Sequence, residues 1–259
     1  RQRQMCIRDR KGAVGRNLKN VNLTIPVGGL TVITGVSGSG KSTLIVDTLL
    51  PALKAVVSKD AKAAGAGLPF SELYGAEYFD QVVSVDQAPI GRSTRSNAAS
   101  YTGAFTPIRE LFAETLTARE RGYSASRFSF LNHGGRCEAC AGEGVVRVPM
   151  QFLPDLYVRC DVCGGARYNR ETLECRWQGK SIADVLEMTV DDARDFFASH
   201  PQIMRRMDAL ADVGLGYIRL GQSTADFSGG EAQRLKLAAE LSRLSSCLLY
   251  TSPSPRDGA

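Results

Sequence analysis

The sequence has no long apolar run. None reaches the roughly 18 residues that would suggest a membrane span, and the opening Arg1-Gln2-Arg3-Gln4-Met5 leads into Cys6-Ile7-Arg8-Asp9-Arg10 without the apolar stretch of a secretory signal. A cytoplasmic protein with no membrane partner is therefore expected. Histidine is scarce, with only His133 and His200 in 259 residues. His133 lies close to a group of four cysteines that already suffices for a metal, and His200 reads as a solvent-exposed residue before Pro201. Charge of one sign is not in large excess either: 32 basic and 27 acidic side chains give +5. That balance permits a nucleic-acid partner without arguing for one. With 43% hydrophobic and 23% charged residues, the chain can bury a sizeable core as one large domain or two smaller ones.

Apolar spacing gives a coarse map. Val21–Ile25 and Leu30–Thr34 read as strands, Gly35–Gly40 as a glycine-rich loop, and Ser42–Leu53 as a helix. A loose connection is expected over Ser58–Pro69 and another strand over Gln81–Val85. Pro107 opens a helix through Arg121. Leu173, Cys175 and Trp177 alternate before Gln178-Gly179-Lys180, which suggests a hairpin. Thr189 with Asp192 is a capping pattern for a helix through Phe197, and a last helix runs from Gly229 to about Ser245. Residues 1–10 and 247–259 break the pattern and are set aside as non-native or disordered ends.

Gly35-Val36-Ser37-Gly38-Ser39-Gly40-Lys41-Ser42 matches the phosphate-binding loop G-x-x-x-x-G-K-[ST] and sits between a predicted strand and a predicted helix. Glycines let backbone N–H groups converge on phosphate oxygens, and the following helix adds the positive end of its dipole. Lys41 is expected to reach the β- and γ-phosphates of ATP and Ser42 to complete a Mg²⁺ shell, with Thr43 next in the helix. Ser228-Gly229-Gly230-Glu231-Ala232-Gln233-Arg234 matches the signature of ATP-binding cassettes, a second anion site at a helix start. Gln87, after the strand, fits the glutamine loop of that class. A chance glycine loop and a plain helix cap are the bland alternatives. Lys41 and Ser228 lie 187 positions apart, a longer interval than transporter cassettes use, so something is inserted.

Cys137-x2-Cys140 and Cys160-x2-Cys163, separated by 19 residues, have the spacing of a structural Zn²⁺ site. Four thiolates close a tetrahedron and leave no open coordination position. Redox-active or unligated thiols are the alternative, and Cys175 is expected to pack in a core. Between Gly91 and Arg136 the chain carries seven arginines (Arg92, Arg95, Arg109, Arg119, Arg121, Arg127 and Arg136), three glutamates, no lysine and no aspartate. Aromatic residues are interleaved. Such a stretch can track a DNA backbone; a solvated face with internal ion pairs is the competing reading.

Together these residues resemble one family. Asp86-Gln87-Ala88-Pro89-Ile90-Gly91-Arg92, Arg95-Ser96-Asn97, Tyr101-Thr102-Gly103, Phe105-Thr106-Pro107-Ile108-Arg109, Gly134–Cys140, Tyr168–Thr172 and Gly230–Arg234 are similar to the UvrA family, in its carboxy-terminal cassette, over residues 11 to 246. The resemblance implies an α/β P-loop fold of the ATP-binding-cassette type, with an inserted helical and zinc-binding module and an incomplete sheet. The expected divisions are a nucleotide-binding lobe at 11–90, an inserted domain at 91–220 containing a zinc module at 134–165, and the signature helix at 221–246. The family implies ATP-dependent recognition of DNA damage in bacterial excision repair. It also implies homodimerisation across the cassettes, scanning of DNA for lesions and loading of the helicase subunit UvrB, which docks mainly through the family's first half. Phe227 departs from the family's usual Leu. No acidic strand is visible after the signature helix, so ATP turnover by this chain alone is not expected. A UvrA-like paralogue conferring resistance to DNA-binding drugs fits the same residues. A transporter cassette fits less well, and a chaperone-type cysteine module lacks its further repeats.

Overall fold

The computed structural model describes residues 6–58, 67–69, 71–86, 88, 90, 95–150, 152, 155–243 and 249–250. They fall into two compact units, residues 1–86 with 245–259 and residues 87–244.

In the first unit, β1 (Cys6–Gly15) pairs antiparallel with β2 (Leu18–Pro26), with register shifts along the ladder. The strand includes residues 6–10, which composition alone sets aside. A helical rod follows the glycine loop: α1 (Lys41–Leu44), a π-helical turn (Ile45–Leu49) and α2 (Leu50–Ser58). The π-turn has a visible cause. Pro51 cannot donate a hydrogen bond, and its ring crowds the carbonyl four residues earlier. That carbonyl, on Asp47, accepts the amide of Leu68 at 3.0 Å instead. Leu44, Ile45, Leu49 and Leu53 line one side of the rod and pack with Leu18 and Ala76 into a small core. β3 (Ser84–Val85) pairs in parallel with β8 (Leu249–Tyr250).

The strand expected at Leu30–Thr34 does not form. Among the described residues no strand pairs with this segment, and Leu30 and Val32 are 92% and 72% exposed. Apolar alternation prepares a segment for a sheet, but the ladder comes from a neighbour, and none is supplied here. The predicted Gln81–Val85 strand likewise shortens to two residues.

The second unit is mainly helical. α3 (Ala98–Tyr101) opens on a reciprocal cap between Asn97 and Ser100. α4 (Phe105–Ala113) and α5 (Leu116–Glu120) replace the single helix expected over 107–121. The break falls at Thr115, which adopts an extended backbone and turns its hydroxyl back to the Phe112 carbonyl at 2.7 Å. The hairpin of β4 (Val145–Val148) and β5 (Leu156–Arg159) projects between the two cysteine pairs. After α6 (Arg170–Leu173), β6 (Arg176–Trp177) and β7 (Lys180–Ser181) form the predicted hairpin. Its two central residues, Gln178 and Gly179, have φ of 46° and 78°, as a type I′ turn requires.

α7 (Ile182–Glu187) and α8 (Val190–Phe196) each start on a capping box, Ser181 with Asp184 and Thr189 with Asp192. α9 (Pro201–Asp212) begins with proline at its first position, where the missing N–H has no partner to lose. α10 (Gly229–Arg243) packs beside α9. The core between these helices includes Ile108, Phe112, Phe128, Val185, Met207, Leu210 and Leu235, and Cys175 lies within it. Each fully buried aliphatic or aromatic side chain there contributes about 1.5–3 kcal/mol. His200 is half-buried, with its ring set edge-on to Trp177 at a centroid distance of 5.0 Å, so it is not the free surface residue that the sequence suggests.

Candidate nucleotide loop, signature helix and cysteine centre

The glycine loop in the first unit has the shape its sequence requires. Gly38 and Gly40 take φ of 77° and 94°, conformations that side chains rarely adopt. A Cβ on Gly40 would also lie 3.0 Å from Leu18 Cδ2 and 3.1 Å from Asn17 Oδ1. Asn17 Nδ2 donates to the Gly38 carbonyl at 2.6 Å, so the strand pair braces the loop from below. Lys41 Nζ donates to the carbonyls of Gly35 and Val36 at 2.8 and 2.9 Å. The ammonium thus sits across the loop mouth, at the start of the helical rod. Gly35, Val36, Ser37, Gly38 and Ser39 are exposed, as is Ser42, whereas Thr43 is buried. The arrangement offers a cation, a hydroxyl and a helix start to an anion.

In the second unit Ser228 caps α10. Its hydroxyl accepts the Glu231 amide at 3.3 Å and donates to Glu231 Oε2 at 2.8 Å, and its own amide donates to the same oxygen at 2.9 Å. Glu231 Oε1 accepts the phenol of Tyr217 at 2.6 Å. That phenol, followed by the Ser228 amide and hydroxyl, holds the Glu231 carboxyl below the usual range. Gly229 and Gly230 are exposed and have open space where a Cβ would go. Among the described residues nothing requires glycine at either position. Gln87 and Arg92 lie outside the described residues.

Cys137, Cys140, Cys160 and Cys163 come together with their sulfurs all within 4.8 Å of one another. Cys140 Sγ and Cys163 Sγ are 3.7 Å apart. That is far beyond a disulfide bond and close to the roughly 3.8 Å edge of a tetrahedron with Zn–S bonds of about 2.3 Å. The pairs meet because the chain entering the first runs antiparallel to the chain leaving the second. Cys137 N donates to Arg167 O at 2.9 Å and Asn169 N to Gly135 O at 3.1 Å, around a bridge between Arg136 and Tyr168. A side chain at Gly135 or Gly142 would overlap the carbonyl of Arg127 or Phe130. Burial pushes the Cys163 thiol up to about 12 and raises that of Cys140, whereas the amide of Cys163 pulls the Cys160 thiol down. Four converging sulfurs, three of them buried, fit a cation that neutralises them as thiolates.

Several arginines are engaged internally. Arg95 pairs with Glu143 at 3.1 Å, Arg121 with Glu174 at 2.7 Å, Arg127 with Glu171 at 2.7 Å and Arg136 with Glu138 at 3.1 Å. Arg127 also lies 4.3 Å over the ring of Tyr123. Arg109 reaches Thr106 Oγ1 at 3.3 Å and leans on Phe105. Sequence reasoning gave no role to Tyr217 or Arg167, both of which prove to be connected to the candidate sites; Arg167 directly precedes the quoted motif Tyr168–Thr172, and Tyr217 carries no local signal.

No family model matches the chain. It is 59% identical over 249 residues to UvrABC system protein A of Vibrio cholerae, a match covering 96% of this chain and 26% of that protein. The same protein of Haemophilus influenzae matches equally, and that of Neisseria meningitidis at 58%. The chain therefore spans about a quarter of the length of the curated relatives it matches. Among solved structures, UvrA2 from Deinococcus radiodurans superposes with a TM-score of 0.77 at 51% identity, over 91% of this chain and 28% of that one. The match supports a P-loop fold of the ATP-binding-cassette type, with small and incomplete sheets in this chain.

Proposed function

From a chain homologous to a quarter of UvrABC system protein A, we propose a part of a UvrA-type ATPase that recognises DNA damage in an ATP-dependent way during bacterial excision repair. The observation that carries this reading is the 59% identity across 96% of the chain. The phosphate loop, the signature helix and the four-cysteine cluster occur together within that span.

In this reading the backbone amides of Gly35–Gly40 surround the ATP phosphates. Lys41 Nζ leaves the Gly35 and Val36 carbonyls for the β- and γ-phosphate oxygens, and Ser42 faces Mg²⁺, with Gln87 near the attacking water. Ser228, Gly229 and Gly230 serve the γ-phosphate of a nucleotide held by another cassette. The bare surface at both glycines suits such a close approach. The four cysteines hold Zn²⁺ as a closed structural site. DNA, a second copy of the protein and UvrB are the partners of the whole molecule, and the cytoplasm is its compartment. No helix among the described residues is long and apolar enough to cross a membrane.

The test uses the full-length protein that contains this sequence. It should bind a fluorescent ATP analogue and retain damaged duplex in preference to undamaged duplex, with Lys41→Ala weakening the first and altering the second. Equal retention of both duplexes with and without nucleotide would overturn the repair reading and favour the drug-resistance paralogue. In that case a DNA-intercalating drug should change the protein's nucleotide binding.

A further inference from the structure

We infer that Arg167 is a positioning residue that ties the cysteine centre to the loop leading into the Ser228 helix. Its backbone carbonyl accepts the amide of Cys137 at 2.9 Å, its own amide is hydrogen-bonded to the Cys163 sulfur, and the neighbouring Ala166 amide donates to Cys163 O at 3.0 Å. Both cysteine pairs therefore touch the Arg167 backbone. Its guanidinium then reaches away from the centre, over the ring of Phe130 at 5.4 Å, and Nη2 donates to the carbonyl of Gly221 at 3.1 Å.

Arginine is a costly choice here. The residue has φ of 69°, a left-handed conformation that glycine adopts freely and other residues resist. Its guanidinium is largely desolvated, and Nη1 finds no hydrogen-bond partner among the described residues. The backbone strain would be the same for any side chain, but a methionine or leucine could fill the volume and cover Phe130 without a desolvated, partly unpaired guanidinium. What only a long donor supplies is the bond to Gly221.

Gly221 is a fixed receiving point. Its amide donates to Leu186 O at 2.7 Å, and a Cβ on it would lie 2.9 Å from both Leu186 Cβ and Leu186 O. The chain then runs through a bridge between Ser223 and Asn97, a bond from Thr224 N to Ser96 O at 2.9 Å, and a 3-10 turn at Thr224–Asp226. Phe227 and Ser228 follow directly. Opening the cysteine centre frees the Cys137 amide, lets the strained Arg167 backbone relax and withdraws the guanidinium from Gly221. Metal occupancy should thereby set the order of residues 221–227.

The inference rests on the zinc reading above, and the experiment separates the two. Zinc content of the full chain is measured first. Amide hydrogen exchange is then followed in residues 221–227 and in α9, with zinc bound and after chelation under reducing conditions, for the wild type, Arg167→Met and Arg167→Lys. Chelation of the wild type should speed exchange in 221–227 by about tenfold or more while α9 stays protected. Arg167→Met should retain its zinc and exchange rapidly in 221–227 from the start, so that chelation adds little; Arg167→Lys should fall between. A wild type whose 221–227 segment ignores chelation, or in which α9 opens equally, overturns the link. So does an additive response in Arg167→Met. Wild-type protein without zinc overturns the zinc reading itself.

Discussion

The phenol of Tyr217 donates to Glu231 Oε1 at 2.6 Å, leaving the other carboxylate oxygen to the amide and hydroxyl of Ser228. One carboxylate thus fixes the serine that begins α10. Its depressed pKa makes this end of the helix sensitive to acid. A carboxyl whose folded pKa lies below its unfolded value adds stability that is present above the unfolded pKa, near 4.3, and lost as pH falls through the folded value. Protection of the first α10 amides, corrected for their intrinsic exchange rate at each pH, should therefore fall as pH drops below about 4.3. Glu231→Gln should remove that pH dependence, and Glu231→Ala should cost about 1 kcal/mol through the lost cap.

The cysteine cluster yields a second expectation. Purified, reduced protein should contain about one zinc per chain, and Cys160→Ser should lower that content. Removing the metal should also lower the unfolding temperature of the second unit, because the tetrathiolate exists only in the folded chain. Absence of zinc from freshly prepared protein would defeat this.

Tyr168 is buried and donates its hydroxyl to Phe128 O at 2.9 Å. Tyr168→Phe keeps the ring against Phe130 but strands a carbonyl in the core. Denaturant titration should show a loss of about 1–2 kcal/mol. A change of only a few tenths would mean that the Phe128 carbonyl finds another donor.

What was legible in the sequence follows from range. The glycine loop, the Ser228 cap, the Gln178-Gly179 turn and the Thr189–Asp192 box all depend on residues within a few positions of one another. The four cysteines are more distant, but their chemistry leaves few ways to combine. The Ser181–Asp184 box and the spacing of Ile203, Met207 and Leu210 were equally local signals, yet α7 and α9 went unpredicted. Three other features were not accessible. Leu30–Thr34 reads as a strand, but pairing needs a neighbour from elsewhere. The helix break at Thr115 depends on a hydroxyl choosing a backbone carbonyl. The fate of the arginines depends on Glu171 and Glu174, which lie 44 and 53 positions from their partners Arg127 and Arg121.

That last point turns the arginine stretch into a discriminating test. Arg127 pairs with Glu171, donates to Thr172 Oγ1 at 3.2 Å and stacks on Tyr123, and its side chain is only 21% exposed. Arg95 pairs with Glu143 and, at 42%, is more open to solvent. A phosphate could share Arg95, whereas to bind Arg127 it would have to dismantle packing. Arg127→Ala should therefore destabilise the second unit by about 1 kcal/mol through lost hydrogen bonds and stacking, and leave the salt dependence of DNA binding unchanged. Arg95→Ala should leave thermal stability nearly intact, since an exposed pair contributes little, and reduce the logarithmic salt slope by about one unit. Melting curves and DNA titrations at several salt concentrations, run on both variants of the full-length protein, decide the matter. A salt slope that falls with Arg127→Ala and not with Arg95→Ala would reverse the assignment and place the DNA backbone along the α5–α6 side of the unit.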